Sequence, residues 1–315
     1  MAEVLPKLSV VLGVGACRQR AQRVVDAICA QTVLDQIEIV VLDSGGKGVA
    51  PLRTPQDARV VYVALPEATL FPKARAEGVL HASAPVVAFL EDHCFPSREW
   101  AAALIEAHRG ECTVIGYAFT NANPQTYISR AALMKDYGPW LHPATAQLRT
   151  LMPGNNVSYR RDVLLSFGKD LEYMLTPDYS IQQVLTRRGH LMRLEPAALV
   201  AHQNYEQISP AAKSNATYAR FLAGRRAKNL GWGPARRLAY ALLTPWCAPV
   251  IGVFRVFRGL RGRESLLRDA IMSMPVFIVI ACVAAGGEAM GYMFGEGDAE
   301  TRMNYWEHDF ERSAE

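Results

Sequence analysis

The stretch from Ala84 to Pro96, A-P-V-V-A-F-L-E-D-H-C-F-P, constrains this chain more than any other. Val86 to Leu90 is a short apolar, β-branched run behind a proline, which reads as a buried strand. Glu91, Asp92 and His93 stand at its end, three residues able to bind a metal ion or a sugar hydroxyl. Burying such groups without partners costs several kcal/mol or shifts a proton, so they are expected at a strand's open end. In an open α/β sheet the carboxyl end of the strands is where ligands bind.

The flanking sequence supplies such a sheet. Leu8 to Gly13, Ile37 to Leu42 and Val60 to Val63 read as strands, and Arg18 to Gln31 and Phe71 to Ala82 as helices. Alternation of this kind predicts a mainly parallel sheet flanked by helices. Beyond it, Trp100 to His108 reads as a helix, Val114 to Phe119 as a strand, and Asn121 to Thr150 as loop-rich. That proline-bearing loop is a candidate wall for an acceptor cleft. Pro153-Gly154-Asn155-Asn156 reads as a turn before a short strand and the pair Arg160-Arg161. Pro177 and Asp178 suit the first turn of a helix. Arg193 to His202 is a further strand that closes on a histidine.

Gly13 and Gly15 invite a dinucleotide reading, but G-V-G-A-C-R lacks the third glycine of that fingerprint, and no Walker lysine-serine pair is present. A tight turn is the simpler account of both glycines. Asp43, after the second strand, is placed to accept from a base or ribose, or to cap the turn D-S-G-G. Asp178 reads as a general base or as a helix-capping acid. His93 and His202 read as metal ligands or as ordinary histidines of a loop and a strand end.

Charge is distributed unevenly. The chain is +4 overall, yet Arg220 to Arg268 carries eleven Lys or Arg against one acid, Glu264. Beside apolar segments this points to anionic lipid headgroups rather than nucleic acid. Leu238 to Phe257 is apolar, with Pro245 and Pro249 expected to interrupt it. Arginines on both flanks favour an in-plane or re-entrant helix there. Ala270 to Gly287 holds 18 uncharged residues, near the lower limit for crossing a bilayer, and is expected either to span or to complete a shallow hairpin with the first segment; two buried core helices are the soluble alternative. The tail after Gly295, with seven acids and two arginines, is compatible with a location outside the membrane. The six cysteines form no metal-binding spacing and fit packing in a reducing compartment. With a strand so close to the N-terminus and no signal peptide, the catalytic part is expected on the cytoplasmic side of the cell membrane.

Taken in order, Asp43-Ser44-Gly45, Lys73-Ala74-Arg75-x-x-Gly78, F-L-E-D-H, Pro-Gly-Asn-Asn with Arg160-Arg161, Asp178 and P-x-x-x-V-x-H resemble an inverting family 2 glycosyltransferase of the GT-A fold. The resemblance covers roughly residues 7 to 205. It implies a nucleotide-sugar donor, a divalent cation (Mn2+ or Mg2+) and a lipid-linked or glycan acceptor. Position by position, Asp43 would read the base, and Gly13, Arg75, Glu91, Asp92, Asn155 and Asn156 would line the donor site. Asp178 would be the base, and His93 and His202 the metal ligands. Ala76 replaces the asparagine usual after Arg75, and F-L-E-D-H stands where the family has F-L-D-x-D. His93 therefore takes the slot of the metal's carboxylate. Q-x-x-R-W, the processive signature, is absent, which favours transfer of one sugar. The implied organisation is a catalytic domain over 1–205, a basic connector over 206–235, apolar membrane-associated helices over 236–295 and an acidic tail over 296–315. A non-catalytic scaffold of the same fold is the alternative, motivated by the altered metal motif. A nucleotidyltransferase would need a glycine-rich, lysine-bearing N-terminal loop.

Overall fold

The computed structural model describes residues 5–46, 49–67, 69–176 and 180–312. The chain forms two compact units, residues 1–120 with 142–202, and residues 121–141 with 203–315.

The first unit is built on a mixed sheet. Its strands are β1 (Leu8–Val14), β2 (Ile37–Asp43), β3 (Arg59–Ala64), β4 (Val86–Leu90), β5 (Cys94–Pro96), β6 (Val114–Asn121), β7 (Gln147–Leu148), β8 (Val157–Arg160) and β9 (Met192–His202). Their order is β3-β2-β1-β4-β8-β6-β9-β5, with β7 paired to β9. The block β3-β2-β1-β4 is parallel, and β8 pairs antiparallel with both β4 and β6. Every residue of β2 and β4 is buried, as continuous apolar runs in a sheet covered on both faces require. Flanking helices are α1 (Arg18–Cys29), α2 (Phe71–His81), α3 (Trp100–Ala107), α5 (Arg161–Leu165), α6 (Leu171–Met174) and α7 (Ser180–Arg187). α2 packs closely on the sheet at Gly78, where a Cβ would lie 2.4 Å from Val11 Cγ1.

Topology puts the functional residues together. From β1 the chain builds β2 and β3 on one side, then crosses to β4 on the other side of β1. Val14 pairs with Asp43, and Leu12 with Leu90, so the carboxyl ends of β2, β1 and β4 lie side by side. That reversal is the switch point at which open α/β sheets bind ligands.

The second unit is helical: α4 (Tyr127–Tyr137), α8 (Ile208–Asn229), α9 (Pro234–Gly259), α10 (Glu264–Phe294) and α11 (Ala299–His308). Two expectations are corrected here. The stretch expected as loop contains α4, capped by Thr126, whose side chain accepts from Ser129 N–H. α9 continues through Pro245 and Pro249, because an otherwise apolar helix outweighs the two missing amide donors. The acidic tail contains the helix α11. The chain turns at Gly295 and Gly297, both at positive φ, and α11 packs back on α8. Tyr218 donates to Glu307 at 2.8 Å, and the buried Arg312 pairs with Glu307 at 2.8 Å. The Glu206 amide donates to the Arg312 carbonyl, so Arg312 lies beside the start of α8.

A buried carboxylate and imidazole cluster as the candidate active site

Glu91, Asp92 and His93 follow β4 in a tight turn closed by the Cys94 amide on the Glu91 carbonyl at 3.0 Å. Such a turn folds the first and last side chains of E-D-H-C toward each other. β5 begins at Cys94, which pairs in register with His202 at the end of β9. The antiparallel β5–β9 pairing thus delivers His202 to the same spot from more than a hundred residues away. Oε2 of Glu91 lies 3.5 Å from Nε2 of His93 and 3.9 Å from Nε2 of His202. The two imidazoles meet edge to face, with centroids 4.8 Å apart. With the Cys94 thiol, these side chains offer one ligand atom each, all within 4.8 Å of one another.

The open, exposed strand end that the sequence suggests is not what forms. Glu91, Asp92 and His93 are 5%, 1% and 1% exposed. Burial is tolerated because each group is supplied with partners. Arg20, itself buried on α1, reaches Oδ2 of Asp92 at 2.9 Å. Oδ1 of Asp92 lies 3.0 Å from Nδ1 of His93. Asn155 and Asn156 donate their side-chain amides to the two oxygens of Glu91 at 2.7 and 2.5 Å. The Glu91 amide donates in turn to Oδ1 of Asn156. Arg75 then fixes the Pro-Gly-Asn-Asn turn, donating to the carbonyls of Gly154 at 3.1 Å and Asn155 at 2.5 Å. Its guanidinium also stacks over Phe71, 3.7 Å from the ring centre.

This arrangement has a direct chemical reading. A carboxylate only accepts, so Asp92 places the His93 proton on Nδ1 and turns the Nε2 lone pair toward Glu91 and His202. A carboxylate behind an imidazole is the usual support of a metal-ligating histidine. One carboxylate, two imidazoles and a thiol are donors suited to a divalent transition ion, and fit poorly with Mg2+, which prefers oxygen ligands and water.

The other residues singled out from sequence lie as follows. Asp43 closes β2, where it pairs with Arg18 at 2.5 Å and accepts from the Gly45 amide at 3.0 Å. Gly13 lies on β1 opposite Leu42. Glu91 groups with His93, Cys94 and His202, whereas Asp92 is engaged by Arg20 and His93. Asp178 lies outside the described residues. Sequence reasoning missed Arg18, Arg20 and Cys94. The two arginines stand in the first turn of α1, which follows directly after β1 and so brings their side chains to the sheet's carboxyl edge. Cys94 carries no signal beyond its place at the end of the turn.

The family profile of glycosyl transferase family 2 matches residues 9–167, half of the chain. The chain belongs to this family. No curated protein matches it in sequence. Among solved structures it is similar to the mannosyltransferase PcManGT from Pyrobaculum calidifontis in complex with GDP-Man and Mn2+. The TM-score is 0.56 at 15% identity, over 92% of this chain and 88% of that one. It also matches glucosyl-3-phosphoglycerate synthase from Mycobacterium tuberculosis in complex with Mn2+, UDP and glucosyl-3-phosphoglycerate. That match has a TM-score of 0.42 at 20% identity, over 63% of this chain and 72% of that one. At such identities the likeness to PcManGT is one of fold. This family 2 chain therefore has the GT-A-like architecture that its motif order implies, with a helical C-terminal region. Asp178 and His202 both lie beyond the stretch matched by the family profile.

Proposed function

We propose that the protein transfers a single sugar, with inversion, from a nucleotide-sugar donor to a lipid-linked or membrane-proximal acceptor. The buried Glu91–His93–His202 cluster at the sheet's switch point, in a family 2 chain, carries this reading. Glu91, His93 and His202 would hold a divalent cation, with Cys94 alongside, and PcManGT sets a precedent for the fold by holding Mn2+ with its donor. When bound, such a cation neutralises the charge that builds on the departing diphosphate.

The chain's own residues do the rest. Asp92 holds the His93 proton on Nδ1, and Arg20 balances the charge of Asp92. Arg75 holds the Asn155–Asn156 turn that fixes Glu91. Asp43, already ordered by Arg18, keeps carboxylate lone pairs available for a base N–H. Asp178 is assigned as the base that takes the acceptor hydroxyl's proton, on the face opposite the leaving group. Two apolar helices and the Arg-rich window support an acceptor presented at the cytoplasmic face of the cell membrane.

Asp178→Asn tests the assignment. Transfer to acceptor should vanish while calorimetry still registers the donor; full activity in the variant would sink it. Engagement of Asp92 by Arg20 favours a second reading, a GT-A module that no longer handles nucleotides. Absence of nucleotide-sugar binding with any divalent ion would decide for that one.

A further inference from the structure

We propose that the helical unit seats in one leaflet of an anionic membrane, with neither α9 nor α10 crossing it. This rests on the membrane-proximal part of the proposed function and specifies how that proximity is achieved.

α9 and α10 are long and apolar enough to span a bilayer, but only 22% and 39% of their apolar windows are buried. They are therefore not the core helices of a soluble bundle. On α9 the exposed residues Leu238, Leu242, Trp246, Val250 and Phe254, joined by Leu243 and Ile251, form a broad apolar stripe that leaves only a narrow face, with Ala241, Thr244, Pro249 and Val256, buried. Trp246 is 79% exposed and Val250 68%. A contiguous bulky stripe of this kind marks a binding surface.

The surroundings of α10 argue against crossing. Its second half runs parallel to α8 at close range. A Cβ on Gly287 would lie 2.1 Å from the Ala216 carbonyl oxygen, one on Gly291 2.3 Å from that of Arg220, and one on Gly224 2.8 Å from the Gly295 carbonyl carbon. α8 carries Lys213, Arg220, Arg225, Arg226 and Lys228. The first half of α10 packs on α4, where Arg130 pairs with Asp269 at 3.3 Å. A crossing needs about 20 residues through roughly 30 Å of hydrocarbon. Placing α10 there would draw a charged helix in with either half, which membranes resist. A seat in the plane of the membrane exposes the apolar stripe to acyl chains and leaves α4, α8 and α11 in water.

Charge selects the partner. Exposed Arg236 stands at the start of α9, and exposed Arg255, Arg258, Arg261 and Arg268 cluster where α9 ends and α10 begins. Cations at both ends of an apolar stripe match anionic headgroups around acyl chains. A second copy of the chain would set arginine against arginine in either orientation, so a lipid surface is the better occupant.

The full-length protein, freed of detergent, should float with phosphatidylcholine vesicles containing phosphatidylglycerol at least tenfold better than with phosphatidylcholine alone. The double variant Trp246→Glu, Phe254→Glu should lose at least tenfold of that binding with its circular dichroism unchanged. Arg261→Cys, in a background with Cys17, Cys29, Cys247 and Cys282 changed to serine and only the buried Cys94 and Cys112 kept, should label fully with an impermeant maleimide added outside the vesicles. Protection of residue 261 until detergent is added would show a crossing hairpin and overturn the proposal. So would equal binding to neutral vesicles, or a dimer by light scattering that ignores lipid. Nucleotide-sugar binding measured on the same samples reports on the transferase reading independently.

Discussion

Asp92 and His93 are joined by a hydrogen bond of 3.0 Å from imidazole Nδ1 to carboxylate Oδ1, inside a site where both side chains are 1% exposed. Adjacent in sequence, they point differently: His93 faces the candidate metal position, and in the proposed site Asp92 would orient it from behind. Asp92→Asn should therefore weaken divalent-ion binding ten- to hundredfold, as loss of such outer support does elsewhere. Calorimetric titration with Mn2+ reads this, and an unchanged affinity would reduce Asp92 to a packing partner of Arg20.

Arg20 and Asp92 form a buried ion pair at 2.9 Å. Removing one partner strands the other charge, so Arg20→Met should cost about 3–5 kcal/mol of folding stability. Replacing both, Arg20→Met with Asp92→Leu, should recover much of it. Urea unfolding of the two variants makes the comparison, and equal losses would contradict the pairing.

Arg75 acts through the Asn155–Asn156 turn. Arg75→Met removes two backbone contacts at 3.1 and 2.5 Å and should loosen both asparagines from Glu91. The expected signature is weaker metal binding with the donor's nucleotide affinity in the absence of metal little changed. A loss confined to nucleotide affinity would instead support direct contact between Arg75 and the donor.

His108 gives the fold a pH dependence. Its Nε2 lies 2.9 Å from Ser158 Oγ, and burial, with Arg160 and Arg193 nearby, holds its pKa down at about 3. The unfolded chain binds this proton first, near pH 6.5, so stability is full above that value. It should fall as pH drops from 6.5 toward 3, by up to about 1.4 kcal/mol per unit. His108→Gln should remove this component, and urea midpoints from pH 7 to 4 would show it. An identical slope in the variant assigns the effect to other groups.

At Gly287 the approach of α10 to α8 leaves no room for a side chain. Gly287→Ala should lower stability by about 1–3 kcal/mol through overpacking against backbone. Gly286, whose Cβ would meet nothing within 4 Å, is the control. Equal melting temperatures for the two alanine variants would refute the close helix contact.

What the sequence made legible was periodic or terminal. β-branched runs marked β1, β2 and β4, and the polar residues at their ends marked Asp43, Glu91 and His93. Less legible were relationships set by strand pairing and helix direction. Nothing local tells that Cys94 pairs in register with His202, or that Arg20 turns inward to Asp92. Burial of Glu91 is hidden for the same reason: its partners Asn155 and Asn156 lie some 65 residues away in the chain. α4 was hidden because prolines at 124 and 139 flank it and suggest loop.

In the proposed mechanism Glu91, His93 and His202 together would hold a divalent ion that the sugar-nucleotide donor needs. Calorimetry of a nucleoside diphosphate sugar, with and without Mn2+, on wild-type protein and on His93→Ala and His202→Ala, tests it most directly. Binding in the wild type should be metal-dependent and should weaken at least tenfold in both variants. Binding of equal strength in all three, or binding indifferent to metal, would contradict it.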